Sequence, residues 1–109
     1  MATHQPTTFS LSLKNQAKLF KALAHPARLA ILLYLAEIKT CITGDIADEI
    51  PLGRTTVNQH LKALKDAGLI KGTVDGVKTN YCLNATAIKS FRQDINAFFN
   101  QIDINQNFC

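Results

Sequence analysis

The sequence predicts a mainly α-helical domain with one small β-hairpin, and three features carry that prediction. Residues 12–24, 54–67 and 85–105 place apolar side chains three and four positions apart, the spacing that gathers them on one helical face. Pro26 and Gly68 stand where one helix should start and another should stop. The stretch "LIKGTVDGVKTNYCLN" (69–84) reads as two short strands around Asp75-Gly76, a dipeptide that tight hairpins prefer.

Taken in order, residues 1–9 read as a flexible arm. "SLKNQAKLFKALA" (12–24) starts at Ser12 as a helix cap and aligns Ala17, Phe20, Leu23 and Ala24. His25-Pro26 breaks it, because a residue before proline is pushed out of the helical region. "PARLAILLYLAE" (26–37) is apolar nearly all round, which places it at the centre of the fold. A short third helix is expected over 41–50, capped by Thr43, with Asp45 in its first turn. "PLG" then turns the chain into a fourth helix (54–67), and residues 85–105 form the last. The order is α-α-α-α-β-β-α. Two short helices joined by a glycine turn (43–67) and followed by a hairpin (69–83) make a winged helix-turn-helix.

One domain spans the 109 residues, and 47% hydrophobic content is enough to give it a core. The net charge is +4, and its placement is informative: Arg54, Lys62, Lys65, Lys71 and Lys78 face only Asp66 and Asp75 in that segment. The polar opening residues lack the apolar run of a signal peptide, and no run is long enough for a membrane span, so a cytoplasmic location is expected. Three cysteines make no paired framework. No phosphate-binding glycine loop or nucleophile motif suggests an enzyme, and no cofactor is expected.

The fourth helix carries the functional signal. Val57, Leu61 and Leu64 share its inner face, while Thr55, Gln59 and Lys62 lie opposite, flanked by Asn58 and Thr56. Gln and Asn can pair with adenine in the major groove, and Thr can reach a base edge or a thymine methyl. Arg54 and Lys62 suit phosphates. An ordinary solvated helix would carry Glu/Lys pairs there, and none is read on this face. In the wing, Lys71, Lys78, Thr79 and Asn80 suit the DNA backbone or the adjacent minor groove. A double-stranded DNA partner follows.

"LFKALAHPARLAILLYLAE", "GDIADEIPLGRTTVNQHLKALKDAGLI" and "NYCLN" together resemble the ArsR/SmtB family of bacterial winged-helix repressors, over about Leu19 to Leu83. The resemblance implies a homodimer built from the first and last helices, with Leu13, Ala17, Phe20, Phe91, Ile95, Phe98 and Ile102 at the interface. It also implies a palindromic operator and release by an effector.

Residue chemistry narrows that effector. Zinc sites of the family use His and Asp/Glu on the last helix, but the histidines here are His4, His25 and His60. His25 is expected to be structural and His60 half-buried. Arsenic sensors of the family carry Cys-x-Cys before the third helix; "CITGDI" supplies Cys41 but has Thr43 at the second position. A trigonal thiolate site for arsenite or another soft metal would therefore need Cys82 or Cys109 as well. Cys82 should point outward from the wing strand, between Tyr81 and Leu83. Cys41 and Cys109 loosely match the cysteine pair of thiol-sensing relatives, which makes redox or reactive-sulfur sensing the alternative. A start of the third helix just after Cys41 would lower its pKa. An effector-independent DNA-binding or protein-interaction module is the third reading.

Overall fold

The computed structural model describes residues 9–38, 42–44, 50–75 and 78–102. Four helices and three strands run in the order α1 (Leu11–Leu23), α2 (Pro26–Ile38), β1 (Ile42–Gly44), α3 (Arg54–Asp66), β2 (Ile70–Asp75), β3 (Lys78–Leu83) and α4 (Ala85–Gln101). All of the expected arm but Phe9 (1–8), most of the third helix (45–49), Gly76, Cys41, Cys109 and the end of the last helix lie outside the described residues.

The start of α1 follows from hydrogen bonding, with one change. Ser10, not Ser12, is the N-cap: its hydroxyl accepts from the Leu13 amide at 3.2 Å. Ser12 instead accepts from the Gln16 side chain one turn on. α2 buries Ala27, Ile31 and Leu35, a stripe at four-residue spacing. It is not buried all round, however. Leu29 is 47% exposed and Leu33 71% exposed, so the back of this very apolar helix is uncovered in the single chain.

The third helix does not begin at Thr43. Ile42–Gly44 is a strand paired antiparallel with β3, with Ile42 opposite Tyr81 and Gly44 opposite Thr79. β-branched Ile and Thr suit a strand, and the partner lies so far along the chain that local patterning does not reveal it. The sheet order is β1-β3-β2. In the hairpin Asp75 pairs with Lys78, so Asp75 belongs to the ladder rather than to the turn where the Asp-Gly reading places it. Gly72 is required here: its φ is +150°, and a Cβ would collide with the Asn80 carbonyl and the Tyr81 ring on β3.

The core lies where α2, α3 and the base of the wing meet. Ile31, Leu35, Val57, Leu61, Leu64 and Leu69 are all essentially inaccessible. Phe20 of α1 packs edge-on against Phe91 and Phe98 of α4, with centroids 5.6 and 6.3 Å apart. α1 and α4 are thereby held together within one protomer.

Candidate nucleic-acid interface

The α3 helix is built to hold one face still and present the other. Its inner face buries Val57, His60, Leu61 and Leu64. Its outer face exposes Arg54, Thr55, Thr56, Gln59 and Lys62, with Asn58 half-buried at the flank. Gly53 is the N-cap and supplies no side-chain acceptor, and the first turn holds no acid. First-turn amide groups therefore sit beside Arg54, Thr55 and Thr56 with no carboxylate to repel a phosphate.

One expectation about this face is corrected. Lys62 is ion-paired to Asp66 at 2.9 Å across one helical turn, the kind of pair that the sequence reading did not find there. The hydrogen bond to Asp66 raises the Lys62 pKa, so the ammonium is charged at any physiological pH. Both side chains are open to solvent, so the pair adds little to stability.

The C-terminal end of α3 closes in two coupled motifs. Gly68 takes φ +82°, its amide bonds the Lys65 carbonyl, and the Leu69 amide bonds the Leu64 carbonyl at 3.0 Å. This is the Schellman pattern, with Leu64 and Leu69 both in the core. Asn84, which the sequence reading did not single out, then ties three elements together. Its side-chain NH2 donates to the Gly68 carbonyl at 3.1 Å, its side-chain oxygen caps α4 by accepting from Ala87, and its backbone amide bonds the Leu69 carbonyl. An Asn just before a predicted helix was the available signal.

The flank of α3 is pinned by a second polar contact. Arg28 of α2 donates from Nε to His60 Nδ1 at 3.0 Å, and its terminal NH1 reaches the Lys21 and Ala22 carbonyls at the end of α1. The His25 ring lies 4.2 Å from that of His60. His25 is structural, as expected: its Nδ1 accepts from the Ala27 amide. His60 is more deeply placed than half-buried, at 8% exposure. Burial, then the neighbouring His25 and Arg28, lower its pKa below the ordinary imidazole value. Neither ring is prepared for a metal, because Nδ1 accepts in both and the neutral ring then carries its proton on Nε2.

In the wing, Lys71 and Asn80 are exposed, and Lys78 stands opposite Asp75 in the hairpin. Tyr81 is buried and Leu83 packs against the core, as expected, whereas Cys82 is half-buried rather than open to solvent. Cys82 is disulfide-bonded. Among the described residues, no three His, Cys, Asp or Glu side chains converge as metal ligands.

The proposed dimer residues divide. Leu13, Ala17 and Ile102 are exposed, whereas Phe20, Ile95 and Phe98 are half-buried against their own domain. Phe91, at 5% exposure, is spent in the protomer's core and is unavailable to a second copy. Sequence reasoning missed Leu29 and Leu33, which border an apolar cleft of roughly 470 Å³ between α2 and α4.

A recognition helix with a polar outer face, a preceding apolar scaffold and a three-stranded wing define a winged helix-turn-helix DNA-binding domain. Residues 23–73 match a helix-turn-helix domain family. The chain is 33% identical over 86 residues to an HTH-type transcriptional regulator of Mycobacterium tuberculosis, covering 79% of both chains. It is also 39% identical over 66 residues to the HTH-type transcriptional repressor SmtB of that organism, spanning 61% of this chain and 48% of the relative. A homodimeric winged helix-turn-helix DNA-binding domain from Mycobacterium bovis, described as a possible ArsR-family regulator, superposes with a TM-score of 0.63 at 25% identity, covering 100% of this chain and 99% of its own. An ArsR-like regulator from Rhodococcus shares the fold, with a TM-score of 0.66 at 21% identity over 84% and 86% of the two chains. The chain belongs to the ArsR/SmtB family of winged-helix transcriptional regulators; it is a DNA-binding regulator and not an enzyme.

Proposed function

We propose that this regulator is a repressor that binds a palindromic operator as a homodimer and releases it when a thiol-directed effector, arsenite or another soft metal, reacts with its cysteines. The observation that carries the DNA reading is the division of α3. Its inner face is immobilised by core leucines and the Arg28–His60 bond, while Thr55, Thr56, Asn58 and Gln59 are offered to base edges and Arg54 and Lys62 to phosphates. Lys78 and Asn80 extend the contact along the wing. Support for a dimer comes from the exposed apolar residues of α1, α2 and the end of α4, and from the homodimeric state of the Mycobacterium bovis relative.

For the effector, Cys41, Cys82 and Cys109 are the candidates. The disulfide at Cys82 favours a second reading, redox or reactive-sulfur sensing, because a sulfur in a disulfide has no thiolate to offer a metal. The sequence-based form of that reading pairs Cys41 with Cys109; the bond at Cys82 brings a third sulfur into it.

Fluorescence anisotropy on DNA from upstream of the protein's own gene tests both parts. Reduced protein should bind with an affinity that falls steeply with salt, whereas a protein-interaction module would show no such slope. Arsenite that releases the complex, reversed by excess dithiol, supports the soft-metal reading. Release by a disulfide-forming oxidant alone supports the redox reading. Binding that ignores both leaves an effector-independent repressor.

A further inference from the structure

The cluster Arg28, His25 and His60 is set apart from the rest of the interior. The protein's core is otherwise aliphatic and aromatic, and His60 is its one buried polar or charged side chain among the described residues. It sits on α3, the DNA-reading helix, and its partner Arg28 simultaneously binds the last carbonyls of α1. A single guanidinium thus links the reading helix to the corner where α1 meets α2. We propose that this cluster is a proton-operated pin: protonating His60 undocks α3 from the α1–α2 corner and releases DNA. The proposal rests on α3 being the DNA-reading element.

The chemistry has one direction. In the neutral ring, His60 Nδ1 is the lone-pair acceptor for the Arg28 Nε–H. A proton taken from solvent at Nδ1 fills that lone pair and sets N–H against N–H. The same proton puts a cation beside the Arg28 guanidinium and against the His25 ring. The charged and titratable groups acting on His60 are His25 from the α1–α2 junction and Arg28 from α2, and neither makes an ion pair with a described carboxylate. Nothing among the described residues compensates the added charge. The depressed pKa of His60 records the same preference for the neutral ring.

The predicted sign opposes simple electrostatics. Adding positive charge to a DNA-binding protein ordinarily tightens its grip on a polyanion. Here acid should loosen it.

The test is operator affinity of reduced protein at about pH 7.5 and about pH 5.5, the range in which imidazole titrates, at fixed salt, for wild type and His60→Gln. The amide oxygen of Gln can still accept from Arg28, and Gln does not titrate. Wild type should lose affinity by up to about tenfold per protomer, the most that an undocked ring with an ordinary pKa of about 6.5 imposes at pH 5.5, while His60→Gln stays within about twofold of its neutral-pH value. Equal or tighter wild-type binding in acid, or the same loss in His60→Gln, overturns the proposal. NMR keeps it falsifiable if that variant does not fold or if the protein binds no DNA at neutral pH, the result that would instead sink the repressor reading. The His60 ring and α3 amides of wild type should titrate together, with a midpoint below that of an ordinary histidine. A His60 ring that titrates normally, or α3 amides that ignore it, overturns the pin.

Discussion

The reading helix α3 is held by two polar anchors of opposite character. At its flank, Arg28 bonds His60 in a small cluster of nitrogen-bearing side chains with no described acid. At its C-terminus, Gly68, Leu69 and Asn84 bond through amides and carbonyls that carry no titratable group. Both anchors fix where the outer face points. Only the first can be addressed by a proton, so the molecule has a fixed hinge at one place and a conditional clasp at another. The difference comes from residue type alone, since the hydrogen bonds are about equally long, 3.0 Å for Arg28–His60 and 3.0 Å for Leu69–Leu64.

Breaking the fixed anchor should cost most. Leu64 is fully buried and belongs both to the core and to the terminal motif, so Leu64→Ala should destabilise the fold by about 2–5 kcal/mol. Equilibrium unfolding in urea measures it, and a loss under about 1 kcal/mol would show that the site collapses around the missing atoms. Asn84→Ala is milder. It removes the α4 cap and the donor to the Gly68 carbonyl, for a loss of about 1–2 kcal/mol. Asn84→Ala should also keep the acid sensitivity of DNA binding, because His60 and Arg28 are untouched. Loss of that sensitivity would merge the two anchors into one network.

Stability itself should follow the clasp. Since burial, His25 and Arg28 depress the folded-state pKa of His60, the unfolded chain holds the proton first as pH falls. The contribution of the neutral pair is present in full above an ordinary histidine's pKa of about 6.5 and declines as pH falls through the lower folded-state value. His60→Gln should flatten that part of the curve.

What the sequence revealed follows physical range. The helices were legible because their signal repeats every three or four residues, and α3 was placed to within a residue by its inner leucines and Gly68. β1 was not, since Ile42–Gly44 becomes a strand only when β3 is beside it. His60 looked like an edge residue because its partner is 32 positions away. The exposed back of α2 was likewise hidden: Leu29 and Leu33 read as core until the geometry showed one face uncovered. Lys62–Asp66 is a different case, a one-turn pair that the spacing already contained.

That pair supplies the smallest effect and the sharpest separation of the two faces. Lys62→Ala removes an exposed cation whose partner is also exposed, so the urea midpoint should barely move. If Lys62 trades Asp66 for a phosphate in the complex, the slope of log affinity against log salt should fall by about 0.9, one phosphate contact, and by about twice that for a symmetric dimer. Weakening should be similar on operator and unrelated DNA, because a phosphate contact carries no sequence information. Gln59→Ala should do the reverse, leaving the salt slope intact and narrowing the gap between operator and unrelated DNA. An unchanged slope in Lys62→Ala would keep that lysine with Asp66 even when DNA is bound, and would shift the phosphate contacts to Arg54 and the wing.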